Sequence, residues 1–369
     1  MRLLVAGGGT GGHLFPGVAV AERWLAQGAD RAVAFAGTTH GVEARIVPEL
    51  GHRFFAVRSG AVAGGGWLAK LTSLLRVALG VKDAGLVLRE FDPHVVLGVG
   101  GYASVPVVVR SLLGRRPTAI QEQNAEPGLA NRMLGRWVRR VFVTFASTIE
   151  SFPAGRATLF GNPIRASLLA RLEETRRARA TRAMSASASV LIVGGSQGSR
   201  FLNEALPAAL AHVAPRLAGA PLRIVHQSGV TDEAATRERY AALGLDASVS
   251  AFIRDMGAAY GEADLVIARA GAGTLSELAA VGLPAVLVPY PHAGAHQEAN
   301  ARAHAALGAA ICIVQAEATV ERLGSEIQRL LGDAAARKRM ADAALAAAKP
   351  FAADEIARAC LELAADRAR

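Results

Sequence analysis

"AGGGTGGHLFPG", residues 6–17, follows the apolar run "RLLV" at the start of the chain, and its reading decides the fold. An apolar strand that runs into a glycine-rich turn and then a helix is the opening of a parallel α/β unit. Gly7, Gly9 and Gly12 stand at G-x-G-x-x-G spacing, which in a dinucleotide-binding unit brings a pyrophosphate close to the helix N-terminus. That use requires an acidic residue at the end of the next strand, about 20 residues further on, to hold the ribose. The next strand, "RAVAFAG" (residues 31–37), ends on Thr38 and Thr39, and no carboxylate follows until Glu43. The α/β reading stands, while an NAD-linked oxidoreductase lacks the acid it needs. No G-x-x-x-x-G-K-[ST] occurs in the chain, which excludes a Walker-type site. His13 falls at the helix entry, and Pro16 reads as a helix starter.

Outward from this turn the same rhythm repeats. Strand-like runs "RLLVAG", "RAVAFAG", "HVVLGVG", "PTAIQE" and "VRRVFVTF" form a first series, and "SVLIVGG", "LRIVHQ", "SVSAFI", "ADLVIARAG" and "PAVLVPY" a second, with helical patterns between them. The expected fold class is α/β: two Rossmann-like, doubly wound domains with the ligand in the interdomain cleft, at the C-terminal ends of the strands. Between the series, "GNPIR" (161–165) is a turn signal, followed by the charged, helix-prone "ASLLARLEETRRARATRA" and the small-residue "MSASAS". The boundary is placed at Asn162, giving domains 1–162 and 163–340. An alanine-rich helical segment, 341–369, follows, and its packing back on the N-terminal domain is left open.

A chain of 369 residues suits two cores. The net charge of +10 is uneven: residues 1–162 carry 18 Lys and Arg against 10 Asp and Glu, and the remainder 23 against 21. Such a basic half leaves nucleic acid, an anionic membrane surface or an ordinary arginine-rich composition open. Cys312 and Cys360 stand far apart without a C-x-x-C, which disfavours a zinc site or disulfide framework and fits a reducing compartment. The apolar start is too short for a signal-peptide core, and "VVLGVGGYASVPVVV" (95–109) is broken by glycines and Pro106. A cytoplasmic chain without a transmembrane helix is expected.

Four glycine-rich turns follow strands: "GGGTGGH" (7–13), "GVGGYAS" (98–104), "GGSQGSR" (194–200) and "ARAGAGTLSE" (268–277). Any one is explained by tight turning, whereas four on one edge point to anion binding. Thr274 and Glu277 have capping-box spacing and so close a helix N-terminus; alternatively, Glu277 accepts ribose hydroxyls while the glycines admit a diphosphate. His296, Gln297 and Asn300 in "HAGAHQEAN" (292–300) suit sugar-hydroxyl recognition or a solvated polar loop.

"GGTGGH", "GGYAS", "QEQN", "GNPIR", "GGSQGSR", "FIRDM", "AGAGTLSELAAVGLPAVLVPY" and "HQEANA", in this order over nearly the whole chain, resemble the MurG family. These are the bacterial UDP-N-acetylglucosamine:N-acetylmuramyl-(pentapeptide) pyrophosphoryl-undecaprenol N-acetylglucosaminyltransferases of the GT-B class. The resemblance implies inverting transfer of GlcNAc from UDP-GlcNAc to the 4-hydroxyl of the MurNAc of lipid I, giving lipid II for cell-wall synthesis. It places the chain peripherally on the cytoplasmic face of the plasma membrane, with an acceptor- and membrane-binding N-terminal domain and a UDP-GlcNAc-binding C-terminal one. Implied partners are UDP-GlcNAc, lipid I, an anionic membrane surface and cell-wall synthesis proteins, and no nucleic acid.

Such a transfer needs a base for the hydroxyl and charge stabilisation for leaving UDP. No D-x-D occurs, so helix N-termini and an arginine are the expected electrostatic partners, with no cofactor and no metal held by the protein. By resemblance Thr10, Gly11, Gly12, Asn124, Arg165, Ser196, Ile253 and Gln297 match UDP-GlcNAc contacts, and Glu277 matches the ribose-binding acid, which gives its capping-box reading a double role; Thr274 is counted with the substrate-binding residues. Ser196 as a helix cap and Arg165 as an interdomain salt bridge are the plainer readings. His13 is the first candidate base and a structural histidine its rival; Glu122 of "QEQN" is the second candidate, and Tyr102 positions acceptor. Gln121 stands where many relatives carry histidine.

"WLAKLTSLLRVALGVK" (67–82) puts Trp67, Leu71, Leu74, Leu75 and Leu79 at near-helical spacing beside Lys70, Arg76 and Lys82. That pattern fits an interfacial helix on anionic lipid, with Arg115, Arg116, Trp137, Arg139 and Arg140 extending the patch, or an ordinary amphipathic helix on its own sheet. Two further rivals keep the fold: a glycosyltransferase with a diacylglycerol or natural-product acceptor, and a scaffold that binds UDP-GlcNAc without turnover.

Overall fold

The computed structural model describes residues 1–60, 67–181, 188–217, 221–291 and 296–366, with the side chains of 67–75 outside that description. The chain forms two compact units, Met1–Ala166 together with Pro350–Arg369, and Ser167–Lys349. In the first, β1 (Arg2–Ala6), α1 (Gly11–Ala26), β2 (Ala32–Gly37), α2 (Glu43–Glu49), β3 (Arg53–Ala56), α3 (Trp67–Glu90), β4 (Val95–Gly98), α4 (Ser104–Leu113), β5 (Thr118–Glu122), α5 (Leu129–Leu134), β6 (Arg140–Val143) and β7 (Ala157–Leu159) alternate. All strands run parallel in the order β3-β2-β1-β4-β5-β6-β7. Leu3 and Val5 of β1 face one buried cluster with Trp24 and Phe35, while Leu4 and Ala6 face another with Val87 and Phe91. The period of two with both faces buried explains why these strands read as continuous apolar runs.

The second unit begins on α6 (Ala166–Thr181), whose first residue still belongs to the first unit. It continues with β8 (Ala188–Val193), α7 (Arg200–Val213), β9 (Leu222–Gln227), α8 (Glu233–Ala242), β10 (Ala247–Ser250), α9 (Met256–Glu262), β11 (Leu265–Ala268), α10 (Ala272–Val281), β12 (Ala285–Leu287), α11 (His296–Ala306), β13 (Ala310–Cys312), α12 (Val320–Gly332) and α13 (Ala334–Ala347). Its parallel sheet has the order β10-β9-β8-β11-β12-β13. Val190 and Ile192 pack against Leu202, Leu206 and Leu210 of α7 and Leu323, Ile327 and Leu330 of α12.

The last helix, α14 (Ala352–Ala365), returns to the first unit, where Ile356, Cys360 and Leu363 fill the cluster around Trp24. The division therefore differs from the expected one at both ends. It falls after Ala166 and not at Asn162, because Asn162 and Ile164 are buried and the Ala166 N–H donates to Glu22 Oε2 at 2.9 Å within the first unit. The segment 341–369 is split, α13 staying with the second unit by packing on α10 and α14 joining the first. Pro16 starts no helix: α1 begins at Gly11, with the Thr10 carbonyl taking the His13 and Leu14 N–H groups at 3.2 and 3.1 Å.

Both strand orders reverse direction once, between β1 and β4 and between β8 and β11. Ligands of open α/β sheets bind beyond the C-terminal ends of strands at such a reversal. The four glycine-rich turns follow these four strands.

Candidate active site

In the first unit the two turns press on each other. A side chain on Gly7 would put its first carbon 2.6 Å from the Gly100 carbonyl oxygen, and one on Gly101 would put it 2.5 Å from that of Gly8. Beneath the first turn lies Glu43, 1 % exposed. Its Oε2 accepts the Gly9 N–H at 2.7 Å, and its Oε1 accepts the Thr38 N–H and hydroxyl at 2.9 and 3.0 Å. Glu43, the first carboxyl after β2, is folded under the loop and takes up the Gly9 N–H that a pyrophosphate would need. This removes the NAD reading on physical grounds.

His13, half-buried on the first turn of α1, lies against the second turn, with Nδ1 3.2 Å from Thr10 Oγ1. Thr10 and Gly12 are exposed beside it, and Tyr102 is exposed on the neighbouring turn. Phe15, one turn along α1 from Gly11, carries the Arg165 guanidinium 4.8 Å from its ring centroid, so Arg165 stacks on an aromatic face within the first unit. This replaces the interdomain salt bridge as the plain reading of Arg165.

Glu122 behaves differently from a base. It is 1 % exposed; Oε1 accepts from the Asn124 N–H at 2.9 Å and Nδ2 at 3.3 Å, and Oε2 from the Gly128 N–H at 3.1 Å and Asn131 Nδ2 at 2.9 Å. Burial pushes its carboxyl above the usual range while these four donors pull it back. With its lone pairs taken it braces the turn after β5 and holds Asn124 in place, which does not suit the expected role of second base. Gln121, fully buried, pairs its amide with Thr144 and Asn162 and is likewise structural.

In the second unit the turn after β8 is crowded at Gly198 by the Ser228 carbonyl, and what differs is the charge beneath it. Gly195 (φ 90°) has open space where a side chain would go, and Ser196 is exposed beside it. Gln227 steadies the turn, donating to the Gly195 carbonyl at 2.8 Å and accepting the Ile253 N–H at 3.1 Å. The helix cap is Ser199 and not Ser196: Ser199 Oγ accepts the Leu202 N–H at 3.4 Å. Arg269, 7 % exposed at the end of β11, donates to that same hydroxyl at 2.9 Å, to the Val288 and Pro289 carbonyls at 2.9 and 3.0 Å, and to Gln315 Oε1 at 2.7 Å. Burial lowers its pKa to about 10, which leaves it charged at neutral pH beneath the N-terminus of α7. The sequence reading missed Arg269 and Gln227. A charged residue directly after the apolar run "LVIA" was the available signal for the first.

The capping-box reading of Thr274 and Glu277 is overturned. The N-cap of α10 is Gly271, in extended conformation, so Thr274 lies inside the helix and Glu277 a turn beyond it. Glu277 is half-exposed, and its Oε2 accepts the Tyr260 hydroxyl at 2.9 Å. Gln297, at the start of α11, accepts the Ala270 and Tyr290 N–H groups at 3.2 and 3.1 Å, joining the turns after β11 and β12. Asn300 is buried and donates to the Ala270 carbonyl at 3.1 Å, which fixes backbone where the sequence suggested sugar recognition. Ser196, Ile253, Thr274, Glu277 and Gln297 thus all lie beyond strand C-termini of the second unit, and Thr10, Gly11, Gly12, His13, Tyr102 and Asn124 beyond those of the first.

The surface cations of the first unit are partly committed. Arg116 donates to Asp92 Oδ1 and the Pro93 carbonyl, both at 2.8 Å, while Arg139 and Arg140 pair with Asp366 at 3.5 Å and Glu362 at 3.0 Å. Trp137 (73 % exposed), Leu113, Met133 and Leu129 stand out on α4, α5 and the turn after it, with Arg115 and Arg136 exposed beside them. Leu79, Arg76 and Lys82 are exposed on α3, whereas the side chains of Trp67, Lys70, Leu71, Leu74 and Leu75 lie outside the described residues. No helix among the described residues is long and apolar enough to cross a membrane.

The N-terminal domain model of glycosyltransferase family 28 matches residues 3–143 and its C-terminal domain model residues 189–356. A UDP-N-acetylglucosamine--N-acetylmuramyl-(pentapeptide) pyrophosphoryl-undecaprenol N-acetylglucosamine transferase of Syntrophotalea carbinolica is 44 % identical over 98 % of this chain and 98 % of its own. A protein of the same name from Citrifermentans bemidjiense is 43 % identical over 90 % of this chain and 91 % of its own. Among solved structures, Acinetobacter baumannii MurG superposes with a TM-score of 0.80 at 31 % identity, covering 98 % of this chain and 99 % of that one.

Proposed function

The chain belongs to glycosyltransferase family 28, in the MurG family, and from that membership we propose how its residues divide the work of one transfer. It is an N-acetylglucosaminyltransferase of GT-B type that moves GlcNAc from UDP-GlcNAc to undecaprenyl-pyrophosphoryl-MurNAc-pentapeptide, the step from lipid I to lipid II in peptidoglycan synthesis.

In our reading the second unit holds the nucleotide. Ser196 and the backbone N–H groups at the start of α7 face the diphosphate, where the helix dipole and the buried Arg269 favour the charge that develops as UDP leaves. Glu277 takes the ribose hydroxyls. Gln297, Thr274 and the Ile253 backbone complete the donor contacts, and Arg165 on its Phe15 platform adds a cation. His13 in the first unit takes the proton from the muramyl 4-hydroxyl as that oxygen attacks the anomeric carbon with inversion, Tyr102 positioning the acceptor. Imidazole suits the role because it titrates near neutrality, and Thr10 Oγ1 holds its Nδ1 and so its orientation.

The observation that carries this division is electrostatic: the first unit's loop has an internal carboxylate beneath it, and the second unit's has a buried guanidinium. Trp137, Leu113, Met133 and Leu129 with Arg115 and Arg136 support a peripheral seat on anionic lipid at the cytoplasmic face, next to the lipid-linked acceptor. The test is transfer of labelled GlcNAc to a lipid I analogue in competition with diacylglycerol. Exclusive labelling of the lipid I analogue is expected, and labelling of the diacylglycerol, or tight UDP-GlcNAc binding without turnover, contradicts the assignment.

A further inference from the structure

We propose that Tyr260 is a positioning residue for nucleotide binding, its buried hydroxyl fixing the Glu277 carboxylate in the orientation that receives the ribose. The inference rests on Glu277 as the ribose-binding acid. Tyr260 is fully buried on α9, so its hydroxyl must find a partner inside the protein, and it donates to Glu277 Oε2 at 2.9 Å. Glu277 itself stays half-exposed.

The tyrosine is held from its other end as well. Its carbonyl accepts Arg179 Nη1 at 3.0 Å, and the Gly257 carbonyl one turn earlier accepts Thr175 Oγ1 at 3.0 Å, both from α6. Asp255 caps α9 through the Ala258 N–H at 2.9 Å and pairs with Arg171 at 2.9 Å. A buried strut, held at both ends, thus ends on the Glu277 carboxylate. Glutamate on a helix surface samples several rotamers, and a ligand that needs one of them must otherwise freeze the rest. Burial, and after it the Glu277 charge, push the Tyr260 hydroxyl far above its usual range, which keeps it a donor.

Tyr260→Phe removes the hydroxyl and nothing else. A hydrogen bond to a charged group is worth roughly a tenfold change in affinity. The expected result is a Kd for UDP and a KM for UDP-GlcNAc raised about tenfold, with kcat within about twofold of the parent. Two controls separate positioning from general support. 2′,3′-Dideoxy-UDP, which lacks both ribose hydroxyls, binds the parent and Tyr260→Phe equally, and Tyr260→Phe in a Glu277→Ala background, which leaves the hydroxyl no side-chain acceptor there, causes no further loss of UDP affinity. If Glu277→Gln weakens UDP but Tyr260→Phe does not, or if the dideoxy nucleotide suffers the same loss, the proposal falls and the ribose assignment stands. If Glu277→Gln binds UDP as the parent does, the ribose assignment falls and takes the proposal with it.

Discussion

The turn after β1 and the turn after β8 start from the same recipe, an apolar strand, clustered glycines and a helix, and end as opposite electrostatic devices. Under the first lies Glu43, accepting the Gly9 N–H at 2.7 Å; under the second lies Arg269, 2.9 Å from the cap of α7. Each turn has a glycine that backbone crowds, Gly7 against Gly100 and Gly198 against Ser228, and one with open space, Gly9 and Gly195; Gly101, in the turn after β4, meets the Gly8 carbonyl of the first turn. A glycine-rich turn is therefore ambiguous until the residue beneath it is known: an acid closes it to anions and a base opens it. That contrast is what supports our proposal that the second unit holds the nucleotide and that His13 of the first takes the proton.

The widest test of the contrast is a pair of alanines. Gly101 and Gly195 both have positive φ, 73° and 90°, so backbone strain is similar. Gly101→Ala adds a collision with the Gly8 carbonyl and is expected to cost about 2–4 kcal/mol, read as a urea midpoint shift. Gly195→Ala costs about 1 kcal/mol and weakens UDP binding instead. Equal stability losses break the comparison. Next in size, Arg269→Met leaves the Val288 and Pro289 carbonyls without their donor; about 2–3 kcal/mol of stability goes, together with UDP affinity. A variant that loses stability but binds UDP unchanged makes Arg269 a brace only.

Glu43→Gln keeps the shape but turns an acceptor into a donor facing either Gly9 or Thr38. About 1–2 kcal/mol of stability is expected to go with UDP affinity unchanged, checked by thermal melting and titration with UDP. A last effect is on pH. Burial lowers His226 to about 3 and His304 to about 4, against an ordinary value of 6.5. Both are neutral in the folded state, so their contribution is complete above pH 6.5 and is lost as pH falls toward those values, about 1.4 kcal/mol per unit for each histidine. Urea midpoints measured from pH 7 to pH 5 should show this slope, and the His226→Gln/His304→Gln double variant should flatten it.

How much of this the sequence carried varies with how local the signal was. Ten strands stand out as apolar runs, whereas β3, β7 and β13, three or four residues each at sheet edges, do not rise above their surroundings. The four turns and their strands were legible, and so was the placement of Ser196, Glu277 and His13 beyond strand ends, since the motifs are contiguous. The partners were not. Tyr260 meets Glu277 across 17 residues, Gly9 meets Glu43 across 34, and Arg269 meets Ser199 across 70, so only folding brings them together. Glu122 failed as a base because its burial and four donors come from residues whose convergence spacing does not reveal. Thr274 and Glu277 misled in the opposite way: their spacing satisfied a capping rule, yet the helix had already begun at Ala272.

The division of labour is tested most directly by measuring kcat for GlcNAc transfer to a lipid I analogue and Kd for UDP on the same preparations of the parent, His13→Ala and Glu277→Ala. The account predicts that His13→Ala loses about 10²–10⁴-fold in kcat with Kd unchanged, while Glu277→Ala raises Kd by about tenfold or more. Full turnover by His13→Ala, or a loss of UDP binding in that variant equal to that of Glu277→Ala, would contradict it.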